Sequence, residues 1–178
     1  MQNNTNGFLH PKEILKQIGI RNNMNIADFG CGNGYFSIPM AEIAEQGRVY
    51  ALDIMKDTLE AVMSKAKLRN ILNIETVHCN LEISNGSKLN NKSIDLVLLR
   101  NILFQSQKKS KIIKEAKRVL KDNSRLVLIE WIKDSSLAPK DCWLISKEEA
   151  QQLVKLEGFD FEKELEIDNH HYGLVFRK

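Results

Sequence analysis

Three glycines at alternate positions, Gly30, Gly32 and Gly34, separate an apolar run from a helix-like run in the stretch ADFGCGNGYFSIPMA. Glycine lets the chain turn sharply and lets a ligand approach the backbone without a Cβ in the way. The spacing differs from the G-x-G-x-x-G of dinucleotide-binding turns, in which the third glycine would stand at Tyr35 or Ser37. We therefore expect these glycines to form the floor of a small-molecule pocket. A tight turn that binds nothing is the alternative.

Acidic residues on either side of this loop indicate the ligand. Asp28 stands two residues before the first glycine, where a carboxylate repels a pyrophosphate and attracts a cationic group. Asp53 ends the run VYALDI, and a carboxylate at the end of the second strand can accept hydrogen bonds from both hydroxyls of a ribose. A helix N-cap or a plain surface acid is the alternative for Asp53.

Apolar and amide side chains follow the same strands. Ile54 and Met55 come directly after Asp53 and can sandwich an adenine ring. In the stretch CNLE, Asn80 offers a side-chain oxygen to the adenine amino group and Leu81 offers an apolar surface, although a simple turn also explains an asparagine there. A ligand with a cationic amino-acid end, a ribose and an adenine but no phosphate is S-adenosylmethionine.

These residues need a scaffold that brings them together. Apolar, β-branched runs alternate with amphipathic stretches, and near-continuous runs such as IDLVLL are typical of strands buried on both faces. The order strand, helix, strand, helix predicts a parallel α/β sheet with right-handed crossovers. Parallel strands are expected at 25–29, 48–53, 74–79, 94–99 and 125–131.

The remaining elements are predicted from local signals. Ser146 and Glu149 have the spacing of a capping box and begin a helix. Two closely joined strands, 160–167 and 170–177, must pair antiparallel. The helix after the second strand is expected to bury one face, formed by Leu59, Val62, Met63 and Ala66.

Length, charge and cysteine content limit the class of protein. The chain of 178 residues fits one domain, and its net charge of +3 is spread along the sequence, so no nucleic-acid partner is expected. No apolar run is long enough for a membrane span, and the start MQNNTNGFLHPKE does not have the pattern of a signal peptide. The cysteines lack disulfide and metal-ligand spacing, which predicts a cytoplasmic protein without a metal site.

The motifs resemble those of a known family. The stretches ADFGCGNGYFSIPMA, VYALDI, CNLE, IDLVLLRNIL, EAKRVLKDNSRLVLIEW and LVKLEGF are similar, in this order, to class I S-adenosylmethionine-dependent methyltransferases. The small single-domain group of ubiquinone and menaquinone biosynthesis is the most similar type. The resemblance implies an α/β, Rossmann-like sheet of seven strands in the order 3-2-1-4-5-7-6, with strand 7 antiparallel and helices on both faces.

The resemblance also implies a set of cofactor-binding residues. The glycines would line the methionine and sugar region, Asp53 would hold the ribose, and Arg100 would lie beside the methionine end with Asn101. Many relatives carry Asp where Asn80 stands, which weakens the assignment there. The expected set is Asp28, Gly30, Cys31, Gly32, Gly34, Asp53, Ile54, Met55, Asn80, Leu81 and Arg100.

Methyl transfer to an unidentified small-molecule acceptor is the expected function. A non-catalytic S-adenosylmethionine-binding partner subunit is the alternative, and the glycine spacing argues against a nicotinamide-dependent oxidoreductase. No general base is identified, although His10, His170 and His171 are candidates. The (D/N)PPY motif of amino-group methyltransferases and the cysteine set of arsenic methyltransferases are absent.

The sequence also predicts the domain organisation. We expect a single domain over 1–178, in which 1–22 is an N-terminal helical cover, with Phe8 or His10 near the pocket, and 23–178 is the Rossmann-like core. The oligomeric state stays open. The side chains expected to shape the acceptor pocket are Phe104, Gln105, Trp131 and Trp143.

Overall fold

A computed structural model of the chain describes residues 9–140 and 142–178. Within these ranges helices and strands alternate along most of the chain. The helices are α1 Pro11–Ile18, α2 Ser37–Ile43, α3 Lys56–Leu68, α4 Lys109–Val119 and α5 Lys147–Leu156. The strands are β1 Asn25–Phe29, β2 Arg48–Asp53, β3 Ile74–His78, β4 Ile94–Arg100, β5 Leu120–Trp131, β6 Asp160–Leu165 and β7 His171–Arg177.

All the strands join one sheet with the order β3-β2-β1-β4-β5-β7-β6. β1 pairs in parallel with β2 and β4, and β4 pairs in parallel with β5. β7 lies between β5 and β6 and is antiparallel to both. The predicted fold class, strand order and antiparallel final strand are confirmed.

The sheet is covered on both faces, which explains the near-continuous apolar strands. In β4, Leu96 and Leu98 join the core beneath α1, α2 and α3, whereas Val97 and Leu99 join the core beneath α4 and α5. Each of these four side chains is at most 1% exposed. The carboxyl ends of the parallel strands therefore meet at one edge between the two helical layers.

Five strand limits differ from the expectation, three of them by one residue: β3 ends at His78, β4 ends at Arg100 and β7 begins at His171. β5 begins at Leu120 rather than at 125, because Leu120 pairs with Ile94 before a register shift moves the ladder to Leu96 and Arg125. The polar residues 121–124 (KDNS) occupy this irregular stretch, so hydrophobicity alone does not indicate a strand there. β6 ends at Leu165 rather than at 167.

The helix limits follow local chemistry. The predicted capping box of α5 is confirmed, since the Glu149 N–H donates to Ser146 Oγ and the Ser146 N–H donates to Glu149 Oε2. Pro39 lies in the first turn of α2, where a missing N–H breaks no helical hydrogen bond. The prediction that α3 buries Met63 is wrong, because this side chain is 46% exposed beside the buried stripe of the helix.

The predicted N-terminal cover lies partly outside the described residues, as does Phe8. The described part forms α1, whose Ile14, Leu15 and Ile18 are buried in the core. Gln17 of α1 exchanges two hydrogen bonds of 2.9 Å with the backbone of Glu166, just after β6. α1 is therefore packed into the domain beside the far edge of the sheet.

Candidate functional site

A cavity of about 560 Å³ opens at the carboxyl ends of the parallel strands. The residues that line it come from the segments after β1, β2, β3, β4 and β5, as expected for a ligand crevice in an open parallel sheet. The structure brings most of the predicted cofactor set to this cavity: Gly30, Gly32, Asp53, Ile54, Met55, Asn80, Leu81 and Arg100.

The glycines of the loop after β1 have three different surroundings. A Cβ on Gly30 would approach Ile102 Cδ1 to 2.8 Å, so this glycine allows a neighbouring segment to pack closely. A Cβ on Gly32 would meet nothing within 4 Å, and the φ of this residue is +50°. Gly32 therefore presents bare backbone to open space at the cavity, whereas a Cβ on Gly34 would approach Val62 of α3 to 3.0 Å.

The Asp53 carboxylate fixes the floor of the cavity. Its Oδ2 accepts the Gly32 N–H at 2.9 Å, and its Oδ1 accepts the Met55 N–H at 2.9 Å. Each carboxylate oxygen can accept a second hydrogen bond, so both remain able to bind hydroxyls. Ile54 is 61% exposed and Met55 is 57% exposed, which leaves apolar surface beside this carboxylate.

Three residues of the predicted set do not line the cavity, namely Asp28, Cys31 and Gly34. Asp28 is 2% exposed, and its Oδ2 accepts a hydrogen bond from Ser37 Oγ. Burial raises the pKa of Asp28 to about 6. Cys31 is buried as well, and burial raises the pKa of its thiol.

Asn80 and Leu81 border the cavity after β3. The Asn80 Oδ1 accepts the Glu82 N–H at 2.9 Å, so the asparagine closes the local turn that was the alternative to adenine binding. Glu82 in turn accepts a hydrogen bond of 2.6 Å from Ser106 Oγ. The segment after β3 is thereby tied to the segment after β4 across the cavity mouth.

Arg100 supplies the positive charge of the site. Its guanidinium carbon lies 5.7 Å from the centre of the Tyr35 ring and 5.8 Å from that of Phe36, within cation–π range. Its Nε is buried and has no hydrogen-bond partner among the described residues. Burial lowers the pKa of Arg100, and the charge of Asp28 opposes that shift.

Sequence reasoning missed Glu130, which organises the wall formed after β4. This side chain is 1% exposed, and its Oε1 accepts the N–H groups of Ile102 and Leu103 at 2.9 and 2.7 Å. Burial raises the pKa of Glu130 to about 7. A single acid at the end of the apolar run RLVLIEW was the available signal.

The predicted acceptor residues divide between cavity and surface. Phe104, Gln105 and Trp131 line the cavity. Trp143 does not line it and is 49% exposed, although its N–H donates to the Phe104 carbonyl oxygen. Pro139 lines the cavity and was not predicted.

The candidate general bases lie in different places. His10 borders a second cavity, of about 530 Å³, on the outer side of the glycine loop. The His170 Nδ1 lies 2.8 Å from Ser135 Oγ. The His171 Nε2 lies 3.2 Å from Nδ2 of Asn101, which does line the main cavity. Within the described ranges, no cluster of ligating side chains could hold a metal ion.

The fold is that of class I S-adenosylmethionine-dependent methyltransferases. It is defined by β7, which is antiparallel between β5 and β6, and by the crevice after β1 and β2. Residues 20–164 match the family model described as a methyltransferase domain. The chain therefore belongs to this methyltransferase domain family, and the resemblance drawn from its motifs is confirmed.

Relatives with curated functions are distant. The chain is 25% identical over 124 residues to a demethylmenaquinone methyltransferase of Geobacillus sp. strain WCH70, covering 67% of this chain and 50% of that protein. It is 33% identical over 85 residues to a tRNA/tmRNA (uracil-C(5))-methyltransferase of Idiomarina loihiensis, covering 43% of this chain and 23% of that protein. The chain thus spans about half the length of the demethylmenaquinone methyltransferases it matches.

The fold is also found among solved structures. A SAM-dependent methyltransferase from Aquifex aeolicus superposes with a TM-score of 0.85 at 20% identity, over 95% of this chain and 89% of that one. At this identity the similarity concerns the fold. In the described residues, none of the helices is both long and apolar enough to cross a membrane.

Proposed function

We propose that this chain is an S-adenosylmethionine-dependent methyltransferase that methylates a small molecule bound in the cavity after β4 and β5. One observation carries the proposal. Gly32 presents backbone without a side chain to the cavity, and the Asp53 carboxylate that holds Gly32 in place lines the same space. This pairing suits a nucleoside whose ribose contacts the carboxylate and whose sugar–sulfur end passes over the glycine.

The residues present fit the cofactor. Space that a Cβ on Gly32 would enter is open, and the buried Arg100 Nε lacks a partner within the described chain. The residues that would hold the cofactor are Gly30, Gly32, Asp53, Ile54, Met55, Asn80, Leu81 and Arg100. Asp28, Cys31 and Gly34 would act from behind this surface by supporting the loop.

Each end of the cavity has a distinct task. Bound S-adenosylmethionine supplies an already activated methyl group, so the chain has to orient the acceptor and exclude water rather than activate the donor. Arg100 provides a cation for the methionine carboxylate. The negative charge of the buried Asp28 favours the charged form of Arg100. Ile54 and Met55 offer exposed apolar surface to the adenine.

The acceptor side is apolar with a few amide groups. Phe104 and Trp131 offer aromatic surface, and Gln105 and Asn101 offer hydrogen-bonding groups. Such a wall suits a flat or partly aromatic small molecule. The modest net charge of +3 supports an acceptor other than nucleic acid.

Two further assignments belong to the same proposal. A cytoplasmic location is supported by three free cysteines, since Cys31 and Cys79 are buried as thiols. The proposed cover over 1–22 is supported by α1, which packs Ile14, Leu15 and Ile18 against the core formed by 23–178. No observation favours the non-catalytic partner subunit.

Calorimetry with S-adenosylmethionine and S-adenosylhomocysteine tests the cofactor site. Asp53→Ala is expected to weaken binding by about 1–3 kcal/mol, because a charge-assisted hydrogen bond to the ribose is lost. Asp57→Ala, which removes an exposed acid from the first turn of α3, is the matched control. Thermal melting of both ligand-free variants separates loss of binding from loss of the Gly32 contact. Equal affinity of wild type and Asp53→Ala would remove Asp53 from the site.

Turnover is tested separately by release of S-adenosylhomocysteine against a panel of phenols, quinols, N-heterocycles and transfer RNA. Methylation of a small aromatic compound, identified by mass spectrometry, supports the proposal. Methylation of RNA alone would contradict the assignment of the acceptor class. Binding without turnover of any acceptor would favour the partner-subunit alternative.

A further inference from the structure

A chain of three side chains reaches the cavity wall from the hairpin between β6 and β7. The His171 Nδ1 lies 3.0 Å from both carboxylate oxygens of Asp168, and its Nε2 lies 3.2 Å from Asn101 Nδ2. The histidine is 7% exposed and lies behind the cavity, whereas Asn101 lines it. Through Asn101, the cavity wall is therefore in contact with a buried imidazole.

The direction of the hydrogen bonds in this chain is set by Asp168. Its Oδ1 also accepts the backbone N–H groups of His170 and His171, at 2.7 and 2.8 Å, which fixes the carboxylate. A carboxylate at Nδ1 selects the tautomer with the proton on Nδ1, so Nε2 carries the lone pair. Asn101 then donates Nδ2–H to Nε2, and its Oδ1 is turned away from the imidazole.

Asn101 is held in an uncommon state. Its φ is +51°, and its buried Oδ1 has no hydrogen-bond partner in the part of the chain that the structure describes. Both features cost free energy and persist where the surroundings enforce them, often at functional sites. The Oδ1 is buried just behind the cavity surface, so a small rotation about the soft χ2 torsion, which leaves the Nδ2–Nε2 hydrogen bond in place, would expose it to an arriving donor.

His171 also supports a second part of the wall. Its ring centre lies 4.0 Å from that of Trp131 at an interplanar angle of 36°, and Trp131 lines the cavity. One buried histidine thus contacts both an amide and an aromatic surface on the acceptor side.

We propose that Asn101 binds the acceptor through its unpartnered amide oxygen and that His171, fixed by Asp168, is the positioning residue that holds this oxygen available. The matching acceptor carries an O–H or N–H group beside the atom that is methylated. This inference rests on the proposed function, because it names the acceptor chemistry of the same cavity.

Protonation of His171 would reverse the arrangement. In the imidazolium form, His171 Nε2–H is a donor that faces another donor, Asn101 Nδ2. The Asn101 amide would therefore turn so that its oxygen accepts the Nε2–H. Burial lowers the pKa of His171 below its ordinary value, with Arg100 and His170 acting in the same direction and Asp168 opposing them. Recognition of an O–H group should therefore be lost toward acid pH.

Two probes of equal ring size test the proposal on the full chain saturated with S-adenosylhomocysteine. Binding of 2-naphthol and of 2-methoxynaphthalene is followed by tryptophan fluorescence from pH 8 down to the lowest pH at which the protein stays folded. Wild type is expected to prefer 2-naphthol by about fivefold at pH 8, since one hydrogen bond is gained, and to lose this preference as the pH falls and His171 takes up a proton. Equal binding of the two probes at pH 8, or no binding of 2-naphthol, would overturn the proposal.

Variants separate positioning from packing. His171→Gln keeps an amide oxygen that can accept from Asn101 but cannot be protonated, so its preference for 2-naphthol should persist at the acid pH where wild type loses it. Asp168→Asn lowers the pKa of the histidine further and should move the loss of preference to lower pH. His170→Gln is the matched control: it should keep the preference for 2-naphthol at pH 8 and still lose it toward acid pH, with a small upward shift because one group that lowers the pKa of His171 is removed. An unchanged pH profile in His171→Gln would refute the positioning role.

A measurement on wild type covers the case in which the variants fail to fold. Nitrogen NMR should show the Nδ1–H tautomer of His171 at neutral pH and a shift of the Asn101 side-chain amide with the same midpoint as the histidine. Side-chain amide resonances of Asn101 that do not shift as His171 titrates would contradict the proposal. Absence of S-adenosylhomocysteine binding by calorimetry would instead contradict the proposed function itself.

Discussion

Glu130→Gln should change how the stability of the protein depends on pH. Glu130 is 1% exposed, accepts two backbone N–H groups through Oε1, and has an Oε2 without a partner among the described residues. A glutamine side chain at this position would not titrate, while its carbonyl oxygen could still accept the same two N–H groups. The substitution thus removes the titration and retains most of the shape.

The magnitude follows from the two pKa values of this carboxyl group. Burial raises the pKa from an ordinary value of 4.5 to about 7 in the folded chain. The folded state therefore binds the proton more tightly, so this group lowers the free energy of unfolding as pH rises from 4.5 to about 7. At about 1.4 kcal/mol per pKa unit, the loss amounts to ~3 kcal/mol and is complete above neutral pH.

Urea unfolding of both proteins between pH 4 and pH 8, followed by circular dichroism, measures this effect. The stability of Glu130→Gln relative to wild type is expected to rise by ~3 kcal/mol across the range, while contributions from other groups cancel. Glu115→Gln is the control with the opposite sign. Burial acts to raise the pKa of Glu115 too, but hydrogen bonds with Arg118 and Ser87 outweigh it and lower that pKa, so its contribution is lost as pH falls. A difference between wild type and Glu130→Gln that stays constant with pH would refute the reasoning.

Three further substitutions test the site and its scaffold. Gly32→Val should abolish S-adenosylmethionine binding in calorimetry, because its side chain enters open space at the cavity. Gly30→Ala should instead lower the melting temperature of the ligand-free protein, because its Cβ meets Ile102 at 2.8 Å, and an unchanged melting temperature would argue against this contact. Ser146→Ala should cost about 1 kcal/mol in urea unfolding, because it removes the capping box with Glu149, whereas cofactor affinity should not change.

Much of the fold could be predicted because its signals are local. Strands buried on both faces appear as apolar runs, and β1 and β2 have the predicted limits. β5 was predicted too short, since its first residues pair through an irregular ladder that depends on β4 and not on their own hydrophobicity. The burial of Met63 was predicted wrongly because a helical stripe defines a face only to within about one residue.

The site was predictable where residues follow strand ends and less so where packing decides. Asp53 and Gly32 line the cavity because the loop after β1 and the end of β2 lie side by side. Asp28 and Gly34 belong to the same motif, yet their surroundings are set by Ser37 and Val62 of neighbouring helices. The spacing of residues along the sequence does not predict such contacts between distant segments.

The position of β7 has a consequence for how the protein matures. β7 follows β6 along the chain but lies between β5 and β6 in space. While the polypeptide is being synthesised, the apolar edge of β5 therefore stays unpaired until residues 171–177 have emerged. His171, at the start of this strand, reaches Asn101 at the cavity in the same step. A chain stalled before this point is expected to expose the unpaired edge of β5 and to be prone to aggregation.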